Sequence, residues 1–207
     1  MLPGPTIIRQ CAECAKPFHQ ETLLSGNTLG ARFWTDCRME ASMLPDQHAL
    51  VQCPHCQALL WIDEQEILGE VDWGDRTSFK DARAYTIPTF EDYLTVLESE
   101  DLEPEKERYL RQWAWWTGNN PRRKSAAPPP LSEREAKNLW GLAALLDESD
   151  DRDRLRKAEV MRELGQFGEA LKLLSEPLAP TLIEYCTKIK RLSKKGDALV
   201  REVKIAQ

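Results

Sequence analysis

Cys11-Ala12-Glu13-Cys14 and Cys53-Pro54-His55-Cys56 are the stretches that decide the fold of this 207-residue chain. Each pair follows a glutamine and a short apolar run, Ile7-Ile8 in the first case and Leu50-Val51 in the second. Four thiolates in two such pairs supply the soft, tetrahedral donor set that a structural Zn²⁺ requires. The spacing therefore predicts one metal site whose ligands are Cys11, Cys14, Cys53 and Cys56. It leaves open whether the ion is zinc or iron.

The sequence around each pair predicts a strand, a tight knuckle and a second strand. Backbone N–H groups in such a knuckle point at sulfur and stabilise the thiolate. Two facing knuckles resemble the zinc ribbon, and each is similar to the knuckles of rubredoxin-type sites. The resemblance covers about the first third of the chain and implies a β-rich module stabilised by structural zinc. The 38 residues between the pairs exceed what a minimal ribbon needs, so an insertion that includes Phe33-Trp34 is expected.

Helical signals begin after the cysteine pairs. Thr89 and Asp92 form a near capping box, which predicts a helix to about Ser99. Pro104 suits the first turn of a second helix, expected to end at Gly118-Asn119. A full capping box, Ser132 to Glu135, opens a run of further helices after a proline-rich stretch.

These signals predict an α+β fold with four segments. We expect a zinc-ribbon-like module at residues 1–70 and a helical extension packed on it at 71–118. Residues 119–130 contain three consecutive prolines, which favour an extended linker. Residues 131–207 are then expected to form an all-α, repeat-like domain.

Residues 158–174 predict two amphipathic helices that meet at Gly165, with Phe167 and the small Ala170 following. This pattern resembles a tetratricopeptide-repeat hairpin. A weaker second copy is expected around Gly196, with a helix over residues 199–205. The resemblance implies that residues 131–207 bind a protein partner.

The charge distribution is uneven. Residues 1–70 hold four Lys/Arg against nine Asp/Glu, whereas residues 119–207 hold eighteen against fourteen. A zinc ribbon that binds a phosphate backbone is expected to be basic, so the acidic charge of this module argues against nucleic acid as its ligand. No apolar run approaches the ~20 residues that span a bilayer, and the start lacks the pattern of a secretory signal. We therefore expect a cytoplasmic protein with no membrane association and with reduced cysteines.

The sequence leaves two other functions open. Cys53-Pro54-His55-Cys56 resembles the active-site motif of oxidising thioredoxin-like enzymes, and Ile87-Pro88-Thr89 resembles their cis-proline loop. That resemblance implies a thiol-disulfide oxidoreductase with Cys53 as the attacking thiolate. The alternative is a nucleic-acid-associated zinc-ribbon protein that uses basic residues near Lys188.

The favoured interpretation is a non-catalytic adaptor with a structural zinc site. Four thiolates fill a tetrahedral shell and leave no open position for a reacting water. No catalytic residue and no cofactor-binding residue besides the metal ligands is predicted. The lone Cys37 and Cys186 are expected to be small buried hydrophobes. Of three clustered tryptophans, Trp113 and Trp116 should share a helix face while Trp115 points elsewhere.

Overall fold

The structure is a computed structural model that describes residues 1–74, 78–99, 101–125 and 127–205. The strands are β1 (Leu2–Gln10), β2 (Pro17–Ser25), β3 (Arg32–Trp34), β4 (Met39–Glu40), β5 (Leu50–Gln52), β6 (Leu59–Trp61), β7 (Ile67–Val71), β8 (Arg83–Ala84) and β9 (Glu202–Val203). The helices are α1 (Phe90–Ser99), α2 (Pro104–Lys124), α3 (Glu133–Leu145), α4 (Asp151–Glu163), α5 (Phe167–Leu173) and α6 (Ile183–Lys194). Strands followed by helices confirm the predicted α+β class.

The chain folds into two compact units that interleave along the sequence. The first consists of residues 1–31 and 41–92, and the second of residues 32–40 and 93–207. The stretch between the two cysteine pairs thus contributes β3 and β4 to the second unit. The four segments expected from the sequence stay a prediction, because compactness does not show which of them folds independently.

The first unit is built on a four-stranded sheet in the order β7-β1-β2-β8. β1 lies at its centre and pairs antiparallel with both β2 and β7. Alternate residues of β1 are buried, as expected of a strand with one face on a core. β5 and β6 form a separate antiparallel hairpin, with Val51 opposite Leu60. Each cysteine pair lies in the connection between two paired strands, β1–β2 and β5–β6.

The second unit is mainly helical. α2 packs on α3, and α4 packs on α5 and α6. Its larger apolar cluster joins Trp115 of α2 to residues of α3, α4 and α5, including Leu142, Val160 and Ala170. A three-stranded sheet in the order β4-β3-β9 completes the unit.

Two predicted helix starts are confirmed in detail. Thr89 and Asp92 exchange hydrogen bonds before α1: the Thr89 N–H donates to Asp92 Oδ2 at 2.8 Å, and the Asp92 N–H donates to Thr89 Oγ1 at 3.3 Å. Ser132 and Glu135 form the full reciprocal capping box of α3. Both confirm that short polar side chains satisfy the first free N–H groups of a helix.

The tryptophans of α2 also lie as the helical period predicts. Trp113 and Trp116 share a face, with ring centroids 5.1 Å apart in an edge-to-face arrangement. The Arg38 guanidinium lies 4.9 Å from the first ring and 5.0 Å from the second. Trp115 points elsewhere, into the apolar cluster with α3 and α4.

The expected end of α2 at Gly118-Asn119 is wrong. The helix continues to Lys124 and includes Pro121. Arg122 accounts for the extension, because its guanidinium donates to the Gly118 carbonyl at 2.8 Å and to the Pro130 carbonyl at 2.8 Å. The first residues of the expected linker are therefore helical.

The expected helix over residues 199–205 is also wrong, because this stretch contains β9. The Thr35 N–H donates to the Arg201 carbonyl at 2.8 Å, and Phe33 lies opposite Val203. Pairing with β3 joins residues about 170 positions apart, which local periodicity does not reveal. In the described part of the chain, no helix is both long and apolar enough to cross a membrane.

Candidate metal centre

The first knuckle is a tight turn between β1 and β2. The Ala15 N–H donates to the Cys11 carbonyl at 2.8 Å, and the Cys11 N–H donates to the Lys16 carbonyl at 3.0 Å. Ala15 has a φ of 56°, in the left-handed region that non-glycine residues rarely adopt. This reversal brings Cys11 and Cys14 to the same side of the turn.

The second knuckle, between β5 and β6, has the same backbone hydrogen bonds as the first. The Gln57 N–H donates to the Cys53 carbonyl at 3.0 Å, and the Cys53 N–H donates to the Ala58 carbonyl at 2.8 Å. Gln57, four residues after the first cysteine as Ala15 is, has a φ of 65°. The same unfavourable backbone conformation at the same position indicates that both turns hold their two cysteines in the same arrangement.

The two knuckles bring the four predicted sulfurs together. The Sγ atoms of Cys11 and Cys56 lie 3.7 Å apart, and those of Cys14 and Cys53 lie 3.8 Å apart. All four Sγ atoms lie within 4.8 Å of one another. Metal–sulfur bonds of about 2.3 Å at tetrahedral angles place sulfurs about 3.8 Å apart. A disulfide bond would instead need about 2.05 Å. The four cysteines therefore have the spacing of a tetrahedral metal site.

The thiols differ in how readily they ionise. Burial raises the pKa of Cys11 to about 12, and the backbone N–H groups of Cys14 and Glu13 lower it only in part. Burial also opposes ionisation of Cys53, but there the backbone N–H groups of Cys56 and His55 prevail and lower its pKa to about 7. The His55 N–H lies 3.4 Å from the Cys53 sulfur. Because metal ligands must be deprotonated, a bound dication would favour the thiolate form of all four cysteines.

The surroundings of the sulfurs hold the two knuckles in place. Cys11 and Cys53 are buried with Phe18, Val51 and Leu60 in one apolar cluster. Cys14 is half-buried and Cys56 is exposed, so the site lies at the edge of this cluster.

Gln65 ties the first knuckle to the segment after β6. Its side-chain oxygen accepts from the Ala12 N–H at 3.0 Å, and its amide donates to the Trp61 carbonyl at 3.1 Å. Sequence reasoning missed this residue, because a lone glutamine 51 positions after Cys14 carries no local signal.

The other candidate residues lie outside the sulfur cluster. His55 is half-buried, and its Nε2 lies 3.0 Å from the Pro17 carbonyl oxygen. Cys37 and Cys186 pack on an apolar cluster of the second unit with Leu155 and Ile189. Among the described residues, the four cysteines form the one recorded group of His, Cys, Asp or Glu that could hold a metal ion.

The arrangement around Cys53 differs from a thioredoxin active site. A thioredoxin motif lies between a strand and a helix, whereas Cys53–Cys56 lies in the hairpin between β5 and β6. The residues after Pro88 enter α1 and do not form a strand.

Comparisons of the chain with protein families, with curated proteins and with solved structures returned no match.

Proposed function

We propose that this chain is a non-catalytic, cytoplasmic interaction protein of the zinc-ribbon type, whose four cysteines hold one structural Zn²⁺. The observation that carries the metal assignment is the sulfur geometry, because its spacing suits a tetrahedral ion and no disulfide. The paired knuckles, equal in hydrogen bonding and in backbone conformation, further support a ribbon. With four thiolates bound, zinc has no open position at which to activate a water.

Metal analysis of the purified full chain tests the zinc assignment. We expect about one equivalent of zinc in the wild type and less than half an equivalent in Cys14→Ser, because three thiolates bind the ion much more weakly. Cys186→Ser is the matched control, since it removes a half-buried cysteine outside the site and should retain full occupancy. Iron in place of zinc, recognised by its visible absorption, would contradict the choice of ion. Four thiols that titrate freely in the untreated wild type would contradict the site itself.

The helical part offers a surface for a protein partner. α3, α4 and α5 line a groove of about 580 Å³ that includes Trp140, Met161 and Leu173. Trp140 is 49% exposed, which is unusual for a large aromatic residue and typical of interface anchors. Charged residues also line the groove, among them Lys157, which pairs with Glu148 at 2.8 Å. Apolar and charged side chains occur together in this way at protein–protein interfaces.

The hairpin of α4 and α5 supports the resemblance to tetratricopeptide repeats. Gly165 has a φ of 76°, which lets the chain reverse between the helices without strain. Ala170 is fully buried beside Val160, so the small side chain lets α5 approach α4 closely. Such hairpins usually bind a peptide or another protein on a concave face, so we propose that residues 131–207 bind the partner at the groove beside Trp140.

A capture experiment tests the partner surface. Cross-linked complexes of the full chain would be compared for wild type, Trp140→Ala and Trp73→Ala. Trp73, 62% exposed, belongs to the first unit and is the matched control. We expect a partner that is retained by Trp73→Ala and reduced at least tenfold by Trp140→Ala, since interface tryptophans often contribute more than 2 kcal/mol. Equal recovery from all three proteins would reject the Trp140 groove as the binding surface.

A further inference from the structure

A second groove of the helical unit lies between α6 and β9 and has a different chemistry. Its volume is about 570 Å³. One wall is a single face of α6 with Glu184, Thr187, Lys188 and Arg191, which follow the i, i+3, i+4, i+7 spacing of one helix face. The other wall consists of four consecutive residues, 201–204. Successive side chains of a strand point to opposite faces of the sheet. A groove that contacts all four of these residues therefore runs along the edge of β9 and not over one face.

β9 is an edge strand with one side open for pairing. The sheet order β4-β3-β9 places it outermost. Both backbone groups of Arg201 face β3: its carbonyl accepts from the Thr35 N–H at 2.8 Å, and its N–H donates to Thr35 Oγ1 at 3.0 Å. The Trp34 N–H is directed the other way, to the Arg38 carbonyl.

The alternation of the ladder fixes the direction of Glu202. In an antiparallel ladder, successive residues direct their backbone groups to opposite sides. Arg201 faces β3, and Glu202 is the register partner of Trp34, which faces β4. Glu202 therefore presents its N–H and C=O on the open side of β9.

The groove is rich in positively charged side chains. Lys188, Arg191 and Lys204 line it, and no salt bridge in the described part of the chain involves them. The other charged lining residues are already paired, Arg201 with Asp197 and Glu202 with Arg32, except for Glu184 at one end. Burial lowers the pKa of Lys188, and the charges of Arg191, Arg201 and Lys204 lower it further. Crowded like charges of this kind are relieved when an anion binds.

We propose that the groove between α6 and β9 binds an extended acidic segment of a partner protein, which adds to β9 as a further strand. Main-chain hydrogen bonds to the open edge supply affinity, and Lys188, Arg191 and Lys204 select carboxylate side chains. The wall formed by residues 201–204 is about 13 Å long at the rise of an extended chain, so the footprint is about four residues of the partner. This surface is separate from the Trp140 groove and goes beyond the proposed function.

Fluorescence anisotropy with defined probes tests the proposal on the full chain. The probe is a labelled ten-residue peptide of alternating glutamate and threonine. The first control peptide replaces glutamate by lysine. The second is the same glutamate–threonine sequence with every peptide nitrogen methylated, which removes the N–H donors on both sides of the strand while the charge is unchanged. We expect binding of the glutamate–threonine peptide, no detectable binding of the lysine peptide, and at least tenfold weaker binding of the methylated peptide. Equal affinity for the methylated peptide would overturn strand addition.

A pair of matched variants separates the groove from general electrostatics. Lys188→Glu with Arg191→Glu reverses two charges inside the groove, whereas Lys190→Glu with Lys194→Glu reverses two on the same helix outside it. We expect at least tenfold weaker peptide binding for the first double variant and less than threefold for the second. Equal losses would overturn the assignment to this groove. Circular dichroism checks that α6 is intact in both.

Two further measurements test which kind of molecule binds in the groove. A ten-nucleotide single strand that binds more tightly than the peptide, and is released by the same groove variant, would overturn the choice of an acidic protein segment. A dimer of the chain alone that dissociates in the groove variant would assign the edge to a second copy instead. Trp140→Ala should bind the peptide as the wild type does, so failure of either proposal leaves the other testable.

Discussion

At the residue scale, the helical unit contains a cluster of buried polar side chains around Asn119. One amide, Asn119 Nδ2, bridges two buried carboxylates, with 3.0 Å to Asp36 Oδ2 and 3.1 Å to both oxygens of Glu163. Arg123 pairs with Asp36, and the Trp115 indole N–H donates to Glu163 at 2.9 Å. Burial, followed by the charges of the neighbouring Glu159 and Asp36 carboxylates, raises the pKa of Glu163 to about 8, although Arg162 and the hydrogen bond from Trp115 act in the opposite direction. Burial also raises the pKa of Asp36.

The raised pKa of Glu163 predicts a specific pH dependence of stability. A carboxyl that ionises near 8 when folded and near its ordinary 4.5 when unfolded takes up a proton on folding at neutral pH. Its contribution is fully present below about pH 4.5 and is lost as pH rises towards about 8, with a slope of about 1.4 kcal/mol per pH unit. We expect Glu163→Gln, which stays neutral, to flatten the decline in unfolding free energy between pH 5 and 8. Urea titrations across that range measure it.

Glu169→Gln is the control for this effect, because Glu169 is an exposed member of a surface ion pair in the same unit. It should leave the pH dependence of wild type unchanged. A Glu163→Gln variant with the full wild-type slope would show that Glu163 does not take up the proton.

At the element scale, Arg122 fixes where α2 ends and how the proline-rich segment runs. Its guanidinium pairs with Glu135, with Nη1 at 2.6 Å and Nη2 at 2.9 Å from the carboxylate oxygens. It also donates to the Pro129 carbonyl at 3.1 Å and to the Pro130 carbonyl at 2.8 Å. Glu135 serves the capping box of α3 at the same time. One side chain thus joins the end of α2 to the start of α3.

Substituting Arg122 tests this role. Arg122→Lys keeps the charge but loses the planar fork, so it cannot serve the carboxylate and the carbonyl groups together. We expect a loss of about 2–3 kcal/mol in unfolding free energy, measured by urea denaturation, because buried polar groups are left unpaired. Arg134→Lys changes an exposed pair with Glu98 and should cost less than about 0.5 kcal/mol. Similar effects of the two substitutions would mean that Arg122 is only a surface charge.

At the scale of the whole molecule, the candidate metal site and the helical core belong to different compact units. The four cysteines lie in the unit of residues 1–31 and 41–92, whereas α2–α6 lie in the other unit. Each unit has its own apolar clusters. A small β-rich unit with a limited core depends on metal far more than a helical one does.

Removal of the proposed zinc ion is therefore expected to act unevenly along the chain. After extraction with a strong chelator under reducing conditions, amides of β1, β2, β5 and β6 should exchange with deuterium at least tenfold faster. Amides of α4 and α6 should keep their protection. Hydrogen exchange read by mass spectrometry measures both sets, and re-addition of zinc should restore the strands. Equal loss of protection in α4 would show that the chain unfolds as one cooperative unit.

The sequence predicts a structural feature of this protein best when neighbouring residues specify that feature. A few adjacent residues specify each of the knuckles, the capping box at Ser132 and the turn at Gly165. Gly118-Asn119 was a misleading local signal, because glycine and asparagine commonly follow the last turn of a helix. Only Arg122, held by carbonyls eight residues away, shows why α2 continues past it.

The sequence by itself determined the α+β class, the two knuckles and most helix starts, because these depend on side chains within one turn of each other. Tertiary structure alone decided that Cys11 and Cys56 lie 3.7 Å apart, that residues 32–40 join the second unit, and that residues 202–203 form a strand. Each of these results joins distant parts of the chain. Such pairings are selected by burial and by backbone hydrogen bonds that form only in the folded state, so short-range patterns do not encode them.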